Sequence, residues 1–235
     1  MTLTAAVVCA LAVCAGIAGA RGTTFKNSGF ERNSFQFWNT EQENDTGRWV
    51  VYKGSPSLES FFDLGPRGIS SGDLYKPRRG KYAAATVQEA PGTQLLFRTI
   101  NLKPDAKRKL AFVFSYQNYA GVWANPDPDS LHAGLLGAPP RQFGDARGDL
   151  PTGANQQYRI DIMEKGADPY SIDDADVVKS VMKSADGDSV QSFWHRYRFN
   201  LNSLDPGKYE LRVAAVATLS PLILGFDALK LGQTK

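Results

Sequence analysis

Apolar and polar residues alternate in short runs along most of this chain, and turns rich in Gly and Pro cut the runs apart. Period-two alternation is the signature of strands with one buried face, so it confines the chain to an all-β fold. Leu110, Phe112, Phe114 and Tyr116 share one face of a strand predicted over 109–116. Tyr158, Ile160 and Ile162 do the same over 157–163, and Tyr209, Leu211 and Val213 over 208–216. Phe193, Tyr197, Phe199 and Leu201 line one face of 193–201, and these four groups form the predicted core. Further strands are predicted over 48–53, 81–88, 93–101 and 222–231. Ala90-Pro91-Gly92, Lys103-Pro104-Asp105 and Asp205-Pro206-Gly207 supply turn chemistry between them. One stretch departs from the pattern. Val177, Val178, Val181 and Met182 repeat at helical spacing behind a cap at Ser171 or Asp173, and a strand reading of the same residues stays open.

Two carboxylates sit where charge is costly. Asn27-Ser28-Gly29-Phe30-Glu31 and Leu224-Gly225-Phe226-Asp227-Ala228-Leu229-Lys230-Leu231 each place one acid inside a short apolar run. Their positions predict first and last strands lying side by side and sharing a cation.

Residues 5–20 form an uncharged apolar run ending in Ala18-Gly19-Ala20, before Arg21. The run is short for a membrane span, and its small-x-small ending fits signal peptidase, so 1–20 is predicted to be a signal peptide. Val13 argues against lipidation at Cys14. Both cysteines, Cys9 and Cys14, fall in this segment, which leaves the secreted chain without a disulfide. Residues 21–235 then make one β domain, with a long loop near 117–154 that holds Tyr119 and Trp123. The loop is expected to be ordered near its aromatics and flexible over 134–153. A net charge of +3 with scattered basic residues excludes the clustered stripe that nucleic-acid binding needs. Asn44-Asp45-Thr46 is a glycosylation sequon if the source is eukaryotic.

Several motifs resemble a known superfamily. Asn27-Ser28-Gly29-Phe30-Glu31 with Phe37-Trp38 is similar to the opening of the galactose-binding-like jelly-roll superfamily, which includes many carbohydrate-binding modules. Arg79-Gly80-Lys81-Tyr82-Ala83-Ala84 and Ala90-Pro91-Gly92-Thr93-Gln94-Leu95 resemble its middle strands. The stretches 204–212 and 224–229 resemble its last two. Residues 155–162 resemble a stretch of uncharacterised secreted proteins of this kind. The resemblance implies a jelly-roll β-sandwich of about eight to ten antiparallel strands with at most one short helix. It also implies a structural Ca²⁺ held by Glu31, Asp227 and backbone carbonyls. Many relatives carry a second acid after the aspartate, where this chain has Ala228.

Sugars are held by stacking on aromatic rings and by hydrogen bonds from planar polar side chains. Trp194, Arg196, Arg198 and Arg159 are predicted to form such a stripe on polar strand faces, with Tyr119 and Trp123 as its rim. Arginines beside an aromatic favour acidic or sulfated glycans. No nucleophile elbow, zinc-protease or phosphate-loop motif is present. The expected function is therefore secreted, noncatalytic binding of a glycan or extracellular polysaccharide. The alternatives are an adhesive or structural envelope protein, and a polysaccharide lyase using His195 or a tyrosine as base with Arg196 or Arg198.

Overall fold

A computed structural model describes residues 25–43, 47–56, 74–88, 91–124, 131–133 and 153–234. These residues form strands β1 (Asn39–Gln42), β2 (Gly47–Lys53), β3 (Tyr82–Gln88), β4 (Gly92–Leu102) and β5 (Lys107–Asn118). They continue as β6 (Gln156–Glu164), β7 (Val177–Lys183), β8 (Gln191–Asn200), β9 (Gly207–Ala217) and β10 (Leu222–Thr234). Two five-stranded antiparallel sheets form a sandwich, ordered β1-β4-β9-β6-β7 in the first sheet and β2-β3-β10-β5-β8 in the second. Among the described residues no helix is long and apolar enough to cross a membrane. Residues 1–20, predicted as a signal peptide, both cysteines, the sequon and most of the long loop lie outside the described residues.

The alternating residues form the core as their spacing requires. Leu110, Phe112 and Phe114 of β5 meet Tyr158, Ile160 and Ile162 of β6, Leu211 and Val213 of β9, and Phe226 of β10 in one buried cluster. Its rings pack closely, with Phe112 and Phe226 at 5.3 Å and Phe114 and Tyr158 at 5.2 Å between centroids.

The residues spaced like a helix are in strand β7. Its pairing with β6 shifts register twice, between Ile160 and Asp161 and between Ile162 and Met163. Each shift resets the parity of the strand, so Val178, Val181 and Met182 all pack on the core despite breaking alternation.

The outer face of each sheet is also partly buried. On the second sheet, Val50, Tyr52, Ala83, Ala85, Val87 and Ile223 pack beneath Leu74. On the first sheet, Arg212 of β9 is fully buried. Its Nη2 donates to Asp161 Oδ2 at 2.6 Å, and its Nη1 donates to the carbonyls of Pro169 and Ser171. Arg159 Nε donates to the same Asp161 oxygen at 3.1 Å.

A buried ion pair loses most when one partner is removed and the other stays unpaired. Asp161→Ala is therefore expected to cost about 3–5 kcal/mol in denaturant unfolding. The double variant Asp161→Ala/Arg212→Met is expected to recover part of that loss, and a double variant no better than the single would contradict this account.

Candidate functional site

The site is made by an irregularity in β8. From Asn200 back to His195 this edge strand pairs regularly with β5, His195 opposite Phe114. The next pair is Ser192 with Tyr116, so β8 carries one residue more than β5 at this point. A bulge of this kind reverses the parity of everything before it. Phe193, predicted for the core, instead lies outside and is 62% exposed. Trp194, on the outer side by ordinary alternation from Arg196, ends up beside it. Two consecutive aromatics thus serve the same face of the second sheet.

Both meet Tyr75, which precedes β3. The Tyr75 and Phe193 rings lie 5.0 Å apart, and Trp194 Nε1 donates to the Tyr75 carbonyl at 3.4 Å. The Tyr75 carbonyl also accepts the Tyr52 hydroxyl at 2.6 Å, and the Tyr75 hydroxyl accepts Gln191 Nε2 at 2.7 Å. The Trp194 indole approaches β10 closely at Gly225, which has no side chain. A Cβ there would stand 2.6 Å from the indole Cη2. The ledge borders a shallow hollow lined by Tyr52, Leu74, Ser115, Gln117 and Ile223.

The structure brings together some of the predicted site residues and separates others. Trp194 and Tyr119 both pack, half-buried, on the outer cluster of the second sheet. Arg196 and Arg198 are exposed on this face, paired with Val113 and Ala111 of β5. Arg159 is not among them, because β6 belongs to the first sheet and Arg159 is held by Asp161. Trp123 is not a rim residue either. It is buried against Tyr116 and Tyr158, and its indole N–H donates to the Ser189 carbonyl. His195 shares the core-side parity of Phe114, opposite to Arg196 and Arg198, so the three do not converge as a lyase base with its arginines. Phe193, Tyr75, Gln191 and Gln117 were not nominated from sequence. The adjacent aromatics Phe193-Trp194 were the visible signal, since strict alternation would send one of them into each face.

A second constellation joins the ends of the chain. The Asn27–Glu31 stretch is a series of turns rather than a strand, and β1 lies in the other sheet from β10, so first and last strands are not paired. The carboxylates nonetheless meet. Asp227 sits at a bulge in β10, fully buried. Its oxygens accept the backbone N–H of Arg79 at 3.1 Å and of Ala228 at 2.6 Å. Glu31 accepts the N–H groups of Lys81 at 3.0 Å and Tyr82 at 3.2 Å. Burial pushes the Asp227 carboxyl up to about 7, against those N–H bonds, and the Glu31 charge adds to the rise. Gly29 allows the close approach: a Cβ on it would lie 3.0 Å from Asp227 Oδ1.

No family model matches the sequence, and no curated protein does. Among solved structures, the chain is similar to TmCBM61, a protein solved in complex with β-1,4-galactotriose. The identity is 14% and the TM-score 0.48, over 90% of this chain and 97% of the other. It is also similar to the K1 cleaved adhesin domain of Lys-gingipain from Porphyromonas gingivalis, at 13% identity and a TM-score of 0.44, over 86% and 94% of the two chains. A third likeness is to carbohydrate-binding modules of the β-sandwich superfamily, at 13% identity and a TM-score of 0.41, over 91% of this chain and 62% of the other. Likeness this distant says nothing about ligand, which rests on the residues alone.

Gly80 tests the carboxylate constellation. It has φ +70, and a Cβ on it would stand 2.0 Å from Glu31 Oε1. Gly166 has φ +84 with open space around it. Gly166→Ala is expected to cost only the left-handed backbone penalty, about 1–2 kcal/mol. Gly80→Ala also expels Glu31 from its N–H donors and is expected to cost at least about 1 kcal/mol more. Equal losses in thermal unfolding would contradict the role given to Glu31.

Proposed function

We propose that this protein is a noncatalytic, secreted carbohydrate-binding module that seats a sugar on the outer face of its second sheet. The observation that carries the reading is the ledge of Phe193, Tyr75 and Trp194. Phe193, exposed on an edge strand and in tilted ring contact with Tyr75, lies beside a half-buried indole and offers an apolar platform for sugar C–H groups. The amides of Gln191 and Gln117 border that platform and can donate and accept at sugar hydroxyls.

A structural Ca²⁺ belongs to the same reading. Hard carboxylate oxygens suit this ion, and a buried Asp227 beside Glu31 is a concentration of negative charge that a cation would relieve. Among the described residues no third acid, His or Cys joins them, so backbone carbonyls would complete the shell. The ion would supply neutralisation and a clasp between chain ends, with no part in chemistry.

The binding test is retention on a panel of insoluble and arrayed glycans. Phe193→Ala is expected to reduce retention at least tenfold with an unchanged melting temperature. A folded protein that binds no glycan would leave the adhesive reading ahead, and release of unsaturated sugars from a uronate polymer would refute the noncatalytic claim. For the ion, chelator is expected to lower the melting temperature, and Glu31→Ala to abolish that sensitivity. A melting temperature indifferent to chelator would sink the Ca²⁺ proposal.

A further inference from the structure

The second sheet gathers arginines next to the aromatic ledge. Arg196 and Arg198 stand two residues apart on the outer side of β8. Across β5, Val113 pairs with both Arg196 and Asp227. The Asp227 carboxylate in turn holds the backbone N–H of Arg79. About two strand spacings, roughly 10 Å, separate Arg196 from Asp227, and the Arg78–Arg79 segment lies just beyond that carboxylate. The stretch from Arg79 to Tyr82 is anchored by Asp227 at Arg79 and by Glu31 at Lys81 and Tyr82, with Arg78 immediately before it. The mutual proximity is felt at Arg196, whose guanidinium is held below its usual range by Arg79 first, then by slight desolvation, Arg198 and Arg78. The ion pairs among the described residues are His132–Glu43, Arg159–Asp161, Lys165–Glu210 and Arg212–Asp161. None of the four arginines takes part in one.

The four guanidiniums repel one another, and the nearby Asp227 and Glu31 carboxylates are engaged by backbone N–H groups rather than by ion pairs with them. A ligand that supplies anions offsets that repulsion and finds planar donors suited to carboxylate or sulfate oxygens. The arginines continue the line of the ledge along β8. Phe193 to Arg198 spans about 17 Å at strand rise, longer than a single sugar ring. From this juxtaposition we infer that the ligand is an anionic polysaccharide. One sugar stacks on Phe193, Tyr75 and Trp194, while carboxylate or sulfate groups along the polymer pair with Arg196, Arg198, Arg78 and Arg79. This rests on the glycan-binding reading and narrows it to a chemical class.

The test is titration calorimetry of the full chain with a neutral galactan, polygalacturonate and a sulfated galactan, at low and at physiological salt. At least one charged polymer is expected to bind ten or more times tighter than the neutral one and to weaken with salt. The better of the two names the anionic group. Arg196→Ala/Arg198→Ala, on exposed positions, is expected to remove that preference at an unchanged melting temperature. Phe193→Ala is expected to weaken every polymer that binds. If the neutral galactan binds as tightly as the charged polymers and ignores the arginine changes, the anionic class falls and glycan binding stands. If the folded protein binds none of the three, the glycan reading itself fails. Single-stranded DNA bound as tightly as the best polysaccharide, with no effect of Phe193→Ala, would mark a general polyanion surface and overturn the inference.

Discussion

The meeting of Glu31 with Asp227 is the constraint on which the arrangement of this sandwich depends. Through backbone N–H donors the two carboxylates bind three distant stretches: the opening turns, the segment leading into β3, and the bulge of β10. The opening turns carry Phe30 and Trp38, which stack at 5.3 Å and cover one end of the core, Trp38 standing edge-on to Phe226. Leu229 N–H donates to the Ser28 carbonyl and ties the same stretch to the last strand. The segment before β3 bears the arginines and, a few residues earlier, Tyr75. The same contact that closes the core therefore also positions the walls of the candidate binding face.

Bulges do the rest. In β10 Asp227 faces away from the core by ordinary alternation from Phe226, and the bulge that follows it brings the Ala228 N–H onto its carboxylate. In β8 the extra residue opposite β5 delivers Phe193 to the side where Trp194 already lies. A regular strand would have buried Phe193 opposite Tyr116 and left Trp194 alone. The ledge exists because pairing was interrupted at one position.

The regular strands were legible in the amino-acid order because one-sided burial writes itself as alternation; Leu110 to Tyr116 and Tyr209 to Val213 lie in the core as their spacing requires. β1 was not legible. Asn39–Gln42 is polar and exposed throughout, and its pairing to β4 rests on backbone bonds that leave no hydrophobic mark. β7 imitates a helix because two register shifts spoil its period. Phe193 failed for the same kind of reason. The stripe joining Arg159 to Trp194 failed differently: alternation assigns faces within a strand and says nothing about which sheet the strand joins. The convergence of Glu31 and Asp227 was legible from charge in apolar runs, although the turns that bring it about were not.

Nuclear magnetic resonance mapping of bound oligosaccharide tests the central claim most directly, because it reports position without altering any residue. Titration with a short anionic oligosaccharide is predicted to move the resonances of Phe193, Trp194, Tyr75 and Arg196 first and furthest. Shifts centred instead on the outer face of the first sheet, around Tyr170 and His132, would contradict the placement of the binding face on the second.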